Sequence, residues 1–155
     1  MRVALYQPDI PQNAGTILRL CACLDVAVDM IEPAGFQASD RAFRRAGLDY
    51  LDSVDLTRHR SFAAFQTWRR ERAPARLILL TTRAETAYTD FAFAPGDILL
   101  LGRESAGVPA SIQEAADARI RIPLRAGLRS LNVAVAAAMV LGEALRQTEG
   151  FPSPP

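Results

Sequence analysis

Four polar segments of this chain carry side chains suited to chemistry, and each interrupts or ends an apolar run. The first is Pro11-Gln12-Asn13-Ala14-Gly15, with Arg19 a little further on. Asn13 stands where a helix begins, so its amide serves either as an N-cap or as a functional group. Arg19 is less ordinary. It sits between Leu18 and Leu20 in an otherwise apolar helix stripe, and a charge beside such a seam needs a partner. The second segment is Gly102-Arg103-Glu104-Ser105-Ala106-Gly107-Val108-Pro109. Its glycines permit backbone to approach a ligand closely, although a plain strand-to-helix turn has the same composition. The third is Ile120-Arg121-Ile122-Pro123, a strand end stopped by proline. The fourth is Ser130-Leu131-Asn132, at the start of the last apolar helix, where Ser130 is placed to cap. Taken singly, none is specific.

Several chemistries are disfavoured. Gly102 and Gly107 have the spacing of a phosphate loop, but Val108-Pro109 follows where Lys-Ser/Thr is required. No Gly-x-Gly-x-x-Gly follows a strand candidate, which argues against a Rossmann dehydrogenase. His59 is the only histidine. Cys21 and Cys23 lie two apart in a helix and face different directions, which suits neither a disulfide nor a closed zinc site. No metal is expected. All 18 basic residues are arginine. Guanidinium forks suit phosphate oxygens, but a general preference for arginine codons accounts for the bias equally. The net charge is only +1, so local clusters matter more than the total. Those clusters are Arg41, Arg44 and Arg45, then Arg58, His59 and Arg60, then Arg125 and Arg129. Each is either a nucleic-acid contact or a solvated face.

The elements that must position these groups alternate. Val3 to Tyr6, Val26 to Ile31, Arg76 to Leu80, Ile98 to Leu101 and Arg119 to Ile122 read as strands. Asn13 to Leu24, the basic run after Ser39-Asp40, Ser61 to Glu71, a short stretch after Pro109, and Leu131 to Gln147 read as helices. Continuous apolar strands alternating with helices imply an α/β fold, a parallel sheet with helices on both faces. The length suits one domain over residues 1–149, with a frayed tail over 150–155. Ligands of such sheets bind beyond the carboxyl ends of the strands, where all four polar segments fall. Val133 to Leu141 is nine consecutive apolar residues. A helix apolar all round must be buried all round, which implies a homodimer packed through this C-terminal helix. No apolar run is long enough to span a membrane and no signal peptide is evident, so the cytoplasm is expected.

In order, Asn13-x-Gly15-x-x-x-Arg19, Gly102-x-Glu104-x-x-Gly107-Val108-Pro109 and Ile122-Pro123…Ser130-Leu131-Asn132-Val133-Ala134 resemble the three signature motifs of the SPOUT superfamily of RNA methyltransferases. Tyr6, Pro8, Ile10-Pro11, Ile31-Glu32-Pro33, Arg44-Arg45-Ala46-Gly47-Leu48-Asp49-Tyr50, Thr57-Arg58-His59 and Leu80-Thr81-Thr82 are similar to its small TrmL-like branch, tRNA (cytidine/uridine-34) 2′-O-methyltransferases. The likeness runs from about Val3 to Phe151, with Ala134-Val135 and the Arg125–Leu128 loop as departures.

The resemblance implies a C-terminal trefoil knot, which periodicity cannot reveal. It implies S-adenosyl-L-methionine as cofactor, held at Leu80, Gly102, Ile122 and Ser130. It implies Arg19 as the group acting on the ribose hydroxyl, with Asn13, Glu104 and Asn132 in support. It implies a tRNA anticodon stem-loop as partner, met by Arg41, Arg44, Arg45, Arg58, His59, Arg125 and Arg129. The alternatives are another RNA target, a non-catalytic RNA-binding module of the same fold, and a flavodoxin-like ligand binder.

Overall fold

The computed structural model describes residues 1–72 and 75–153. Its seven strands are β1 (Arg2–Tyr6), β2 (Ala27–Ile31), β3 (Leu56–His59), β4 (Leu77–Leu80), β5 (Thr86–Ala87), β6 (Ile98–Leu101) and β7 (Ala118–Arg121). They form one sheet in the order β3-β2-β1-β6-β4-β7-β5. Every pairing is parallel. Among the described residues the α-helices are α1 (Pro11–Cys23), α2 (Arg41–Gly47), α3 (Phe62–Arg70), α4 (Ala110–Ala115) and α5 (Val133–Gln147).

Strand side chains alternate between two cores. Val3, Leu5, Val28, Met30, Ile78, Leu99, Leu101 and Ile120 face α1, α2 and α5, whose contributions include Ile17, Leu18, Phe43, Val140 and Leu141. Ala4, Tyr6, Ile31, Leu77, Leu79, Ile98 and Leu100 face Phe65 of α3 and Ile112 of α4. The central strands are buried on both faces, which is why they are unbroken apolar runs and why the sheet is parallel.

The departures from expectation lie at edges and caps. The edge strands β3 and β5 were not foreseen; Leu56–His59 is half polar and Thr86–Ala87 is two residues long, so neither makes an apolar run. α1 starts at Pro11, with Ile10 at the N-cap and no side-chain cap. Asn13 therefore lies inside the first turn and is not the cap. Proline at a first helical position wastes no hydrogen bond, which moves the start upstream. The cap of α5 is Asn132, not Ser130; its Oδ1 accepts from the Ala134 N–H at 2.8 Å and from the Val135 N–H at 3.4 Å.

α5 is not buried all round in the protomer. Ala134, Ala137, Val140, Leu141, Ala144 and Leu145 are buried, while Val135 and Met139 are exposed. Beyond α5 the chain has no regular structure up to Ser153; residues 154 and 155 of the expected tail lie outside the described residues. Among the described residues, no helix is long and apolar enough to cross a membrane, and no group of His, Cys, Asp and Glu is arranged to hold a metal.

Candidate active site

The carboxyl ends of β4, β6 and β7 open into a cavity of about 720 Å³. That is within the range of sites for small organic ligands, roughly 300–1,000 Å³. Leu80, Gly102, Ile122 and Ser130 all line it. So do Asn13, Glu104, Asn132 and Arg129. Residues far apart in sequence meet because β6 lies between β1 and β4, which brings the loops after β1, β4, β6 and β7 to one end of the sheet.

Gly102 has a more local purpose than ligand approach. A Cβ there would stand 2.8 Å from the Gly107 carbonyl carbon and 2.9 Å from its Cα. The loop between them folds back on itself, with the Arg103 N–H donating to the Gly107 carbonyl at 3.0 Å and the Gly107 N–H donating to the Arg103 carbonyl at 2.8 Å. Gly107 adopts a φ of 65°, the left-handed region that glycine enters without a Cβ clash. The tight loop aims Glu104 back towards α1.

There a polar network joins three loops. The Asn13 amide donates to Glu104 Oε1 at 3.1 Å, and the Asn132 amide donates to Asn13 Oδ1 at 2.8 Å. Asp9 and Glu104 are laced reciprocally: the Asp9 N–H donates to Glu104 Oε2 at 3.1 Å, and the Glu104 N–H donates to Asp9 Oδ1 at 3.1 Å. The Ser105 hydroxyl also donates to Asp9, and Arg103 Nε stands 3.6 Å from it. The two carboxyl groups titrate apart. Asp9 is held at about 2, first by hydrogen bonding with the neighbouring Glu104 carboxyl and then by Ser105 and the Glu104 N–H, against the opposing effect of burial. Glu104 is raised, first by burial and then by Asp9. Two close carboxyls share one proton more readily than both ionise. Sequence reasoning missed Asp9; the available signal is an acid in the loop that ends the first strand.

Arg19 lies on the exposed side of α1 and does not line the cavity. Its partner is aromatic: the guanidinium carbon stands 5.1 Å from the centre of the Tyr50 ring. The arginine clusters are partly gathered. Arg41 and Arg45 line a second cavity of about 580 Å³ with Gln12, and Arg44 is exposed beside them. Arg125 and Arg129 are exposed on the loop before α5. Arg58 is exposed but ion-paired with Glu32 at 3.0 Å.

His59 is a correction. It is buried, with its Nε2 2.7 Å from Asp29 Oδ1 and its ring packed edge-on to Phe65 and Trp68. It has no surface to offer an RNA. Strand alternation turns its side chain inward while Arg58 and Arg60 turn out, and the unforeseen β3 hid that alternation.

The SpoU rRNA Methylase family matches residues 1–142. The tRNA (cytidine(34)-2'-O)-methyltransferase of Beijerinckia indica is 68% identical, covering 94% of this chain and 90% of that protein. The enzyme of that name from Escherichia coli is 42% identical, covering 98% and 96%. A solved structure described as giving structural insights into the 2-OH methylation of C/U34 on tRNA superposes with a TM-score of 0.88 at 41% identity, covering 94% of each chain. The SpoU methyltransferase AviRb from Streptomyces viridochromogenes, solved with the cofactor AdoMet, superposes with a TM-score of 0.86 at 28% identity, covering 95% of this chain and 57% of that one. The three ordered motifs, the parallel sheet that gathers them around one cavity, and these matches agree: the chain belongs to the SpoU methylase family of SPOUT RNA methyltransferases.

Proposed function

We propose that this protein transfers the methyl group of S-adenosylmethionine to the ribose 2′-hydroxyl of nucleotide 34 of tRNA, a cytidine or a modified uridine. The observation that carries the reading is the cavity at the sheet's carboxyl end, which is walled by Leu80, Gly102, Ile122 and Ser130 and flanked by the Asn13–Glu104–Asn132 network. The names of the relatives supply the nucleotide.

The residues present suit the cofactor. Leu80 and Ile122 are half-buried apolar walls able to flank an adenine, and the cavity is large enough for the whole molecule. Asn132 already occupies the Ala134 and Val135 amides at the start of α5, so polar groups around Ser130 would hold the cofactor's carboxylate. When bound, S-adenosylmethionine supplies an electrophilic methyl on a sulfonium. The ribose hydroxyl is a weak nucleophile and has to be aligned with that methyl as it loses its proton. The motif assigns to Arg19, which stands outside the cavity of its own protomer, the role of orienting the hydroxyl and stabilising its developing negative charge. A guanidinium is already protonated at neutral pH and accepts no proton, so the hydroxyl proton passes by way of an RNA phosphate oxygen to water. Glu104 accepts from the Asp9 N–H and the Asn13 amide and so positions Asn13, which Asn132 holds from the other side.

The exposed Arg41, Arg44, Arg45, Arg58, Arg125 and Arg129 meet the anticodon stem-loop, whose splayed bases and phosphates suit them. The protein works in the cytoplasm as a single domain over residues 1–149 whose C-terminal part is knotted. It is a homodimer, because Leu128, Leu131, Val135 and Met139 leave apolar surface uncovered on and beside α5. Light scattering at micromolar concentration should give twice the chain mass; a monomer would contradict this. The decisive experiment incubates the protein with labelled S-adenosylmethionine and tRNA lacking the wobble methyl, then maps the label. The expected product is 2′-O-methylated nucleotide 34. Label at another nucleotide, in ribosomal RNA only, or nowhere would overturn the reading.

A further inference from the structure

Arg19 needs something to hold it. It is exposed, and among the described residues it forms no ion pair with a carboxylate. A free arginine of this length samples many rotamers, which spoils the alignment a displacement reaction requires. The group it touches is the Tyr50 ring, at 5.1 Å, a distance at which the ring's negative face attracts the guanidinium.

The local fold fixes that ring. Helices α1 and α2 cross almost in backbone contact at Gly15, where a Cβ would stand 2.6 Å from the Phe43 carbonyl oxygen and 2.8 Å from Ala46 Cβ. Arg19 follows Gly15 by four residues, about one helical turn, so its root is tied to this crossing. Directly after α2, Leu48 is held at φ 50° and ψ −143°. That conformation is strained for a residue with a side chain, and it gains Leu48 no burial, since 49% of it is exposed. It turns the chain into the 3₁₀ segment Leu48–Asp52, which carries Tyr50 back towards α1.

We infer that Tyr50 is a positioning residue, which acts by holding the Arg19 guanidinium in the orientation the acceptor ribose requires, and that the strained turn at Leu48 serves to present its ring. The inference depends on the assignment of Arg19 to the reaction.

The test compares wild type with Tyr50→Leu, Tyr50→Phe and Arg19→Ala in steady-state methyl transfer to tRNA, with cofactor affinity measured by calorimetry and folding by melting temperature. Tyr50→Leu should lower kcat by about 5- to 10-fold while KM for tRNA and cofactor affinity stay within about twofold. Tyr50→Phe, which restores the ring, should recover most of kcat. In wild type, the Arg19 side-chain proton resonances should be shifted upfield by the ring, a readout that needs no folded Tyr50 variant. Wild-type kcat in Tyr50→Leu, equal loss in Tyr50→Phe, a change in KM alone, or unshifted Arg19 resonances would each overturn the inference. Full turnover in Arg19→Ala would instead sink the assignment of Arg19 itself, so the two failures are distinguishable.

Discussion

Two polar networks on opposite faces of the sheet differ in what they leave unsatisfied. Beneath α3, the fully buried Asp29 accepts from Arg2 Nε at 2.7 Å and is bonded to His59 Nε2 at 2.7 Å. Arg2 donates further to Thr57 at 3.3 Å and lies 4.9 Å from the Trp68 ring centre, while Phe65 and Trp68 close over His59. Here the partners are supplied by the protein, and Asp29 and His59 are closed off from water. At the cavity, by contrast, Asn13 and Asn132 use only part of their hydrogen-bonding capacity and border open space. A saturated network spends its interactions on the fold. An unsaturated one keeps donors and acceptors for a ligand. Residue type does not separate the two: histidine beside aspartate is the more familiar catalytic pair, yet in this chain it is structural.

This contrast can be broken by mutation. Asp29→Ala leaves the buried His59 without its partner and removes the main ion pair of Arg2, and should cost about 3 kcal/mol of stability, read by urea denaturation. Activity per folded molecule should barely change; an unaltered midpoint would refute the structural role. Asn13→Ala should do the reverse. Methyl transfer should fall about 100-fold, equivalent to about 2.7 kcal/mol in the barrier, while stability falls by only about 1 kcal/mol. Normal turnover in this variant would place the site elsewhere.

A smaller effect is expected with pH. Asp9 is held at about 2 against an ordinary 3.8, so the fold favours its ionised form. That stabilisation is complete above the ordinary value and disappears as pH falls towards the lowered one. The stability gap between wild type and Asp9→Asn should therefore close across this window. A gap that stays constant would show that Asp9 does not titrate as described. The least effect concerns the thiols. Burial pushes Cys21 up to about 12, whereas Cys23 is exposed. An alkylating reagent at neutral pH should modify Cys23 alone, with little loss of stability; a doubly labelled native protein would contradict the buried placement.

Much of the site was legible because its residues sit at strand ends. Leu80 and Gly102 fall at or just beyond the end of an apolar run, and Ile122 just beyond the alternating strand β7 before a proline, and such strand ends line one edge of a parallel sheet. Asn13 was legible as polar but not in its role, since its cap position depends on where proline starts the helix. His59 was misread because a run of three basic side chains looks like a surface when the strand under it is not recognised. Asp9 was missed, and Tyr50 was read only as part of a motif. Their partners are 95 and 31 residues away in the chain, and no local pattern records such distances.

The sequence by itself determined the layered parallel sheet, which follows from apolar periodicity, and the order of the three motifs, whose resemblance to those of known RNA methyltransferases pointed to the family. Only the tertiary structure decided which carboxylate is sealed under α3 and which borders the cavity, that Asn13 and Asn132 meet, and that Arg19 rests on an aromatic ring and not on an acid. The physical reason is that burial and hydrogen-bond partnership belong to pairs of groups brought together by strand order, and a sequence specifies that order without displaying it.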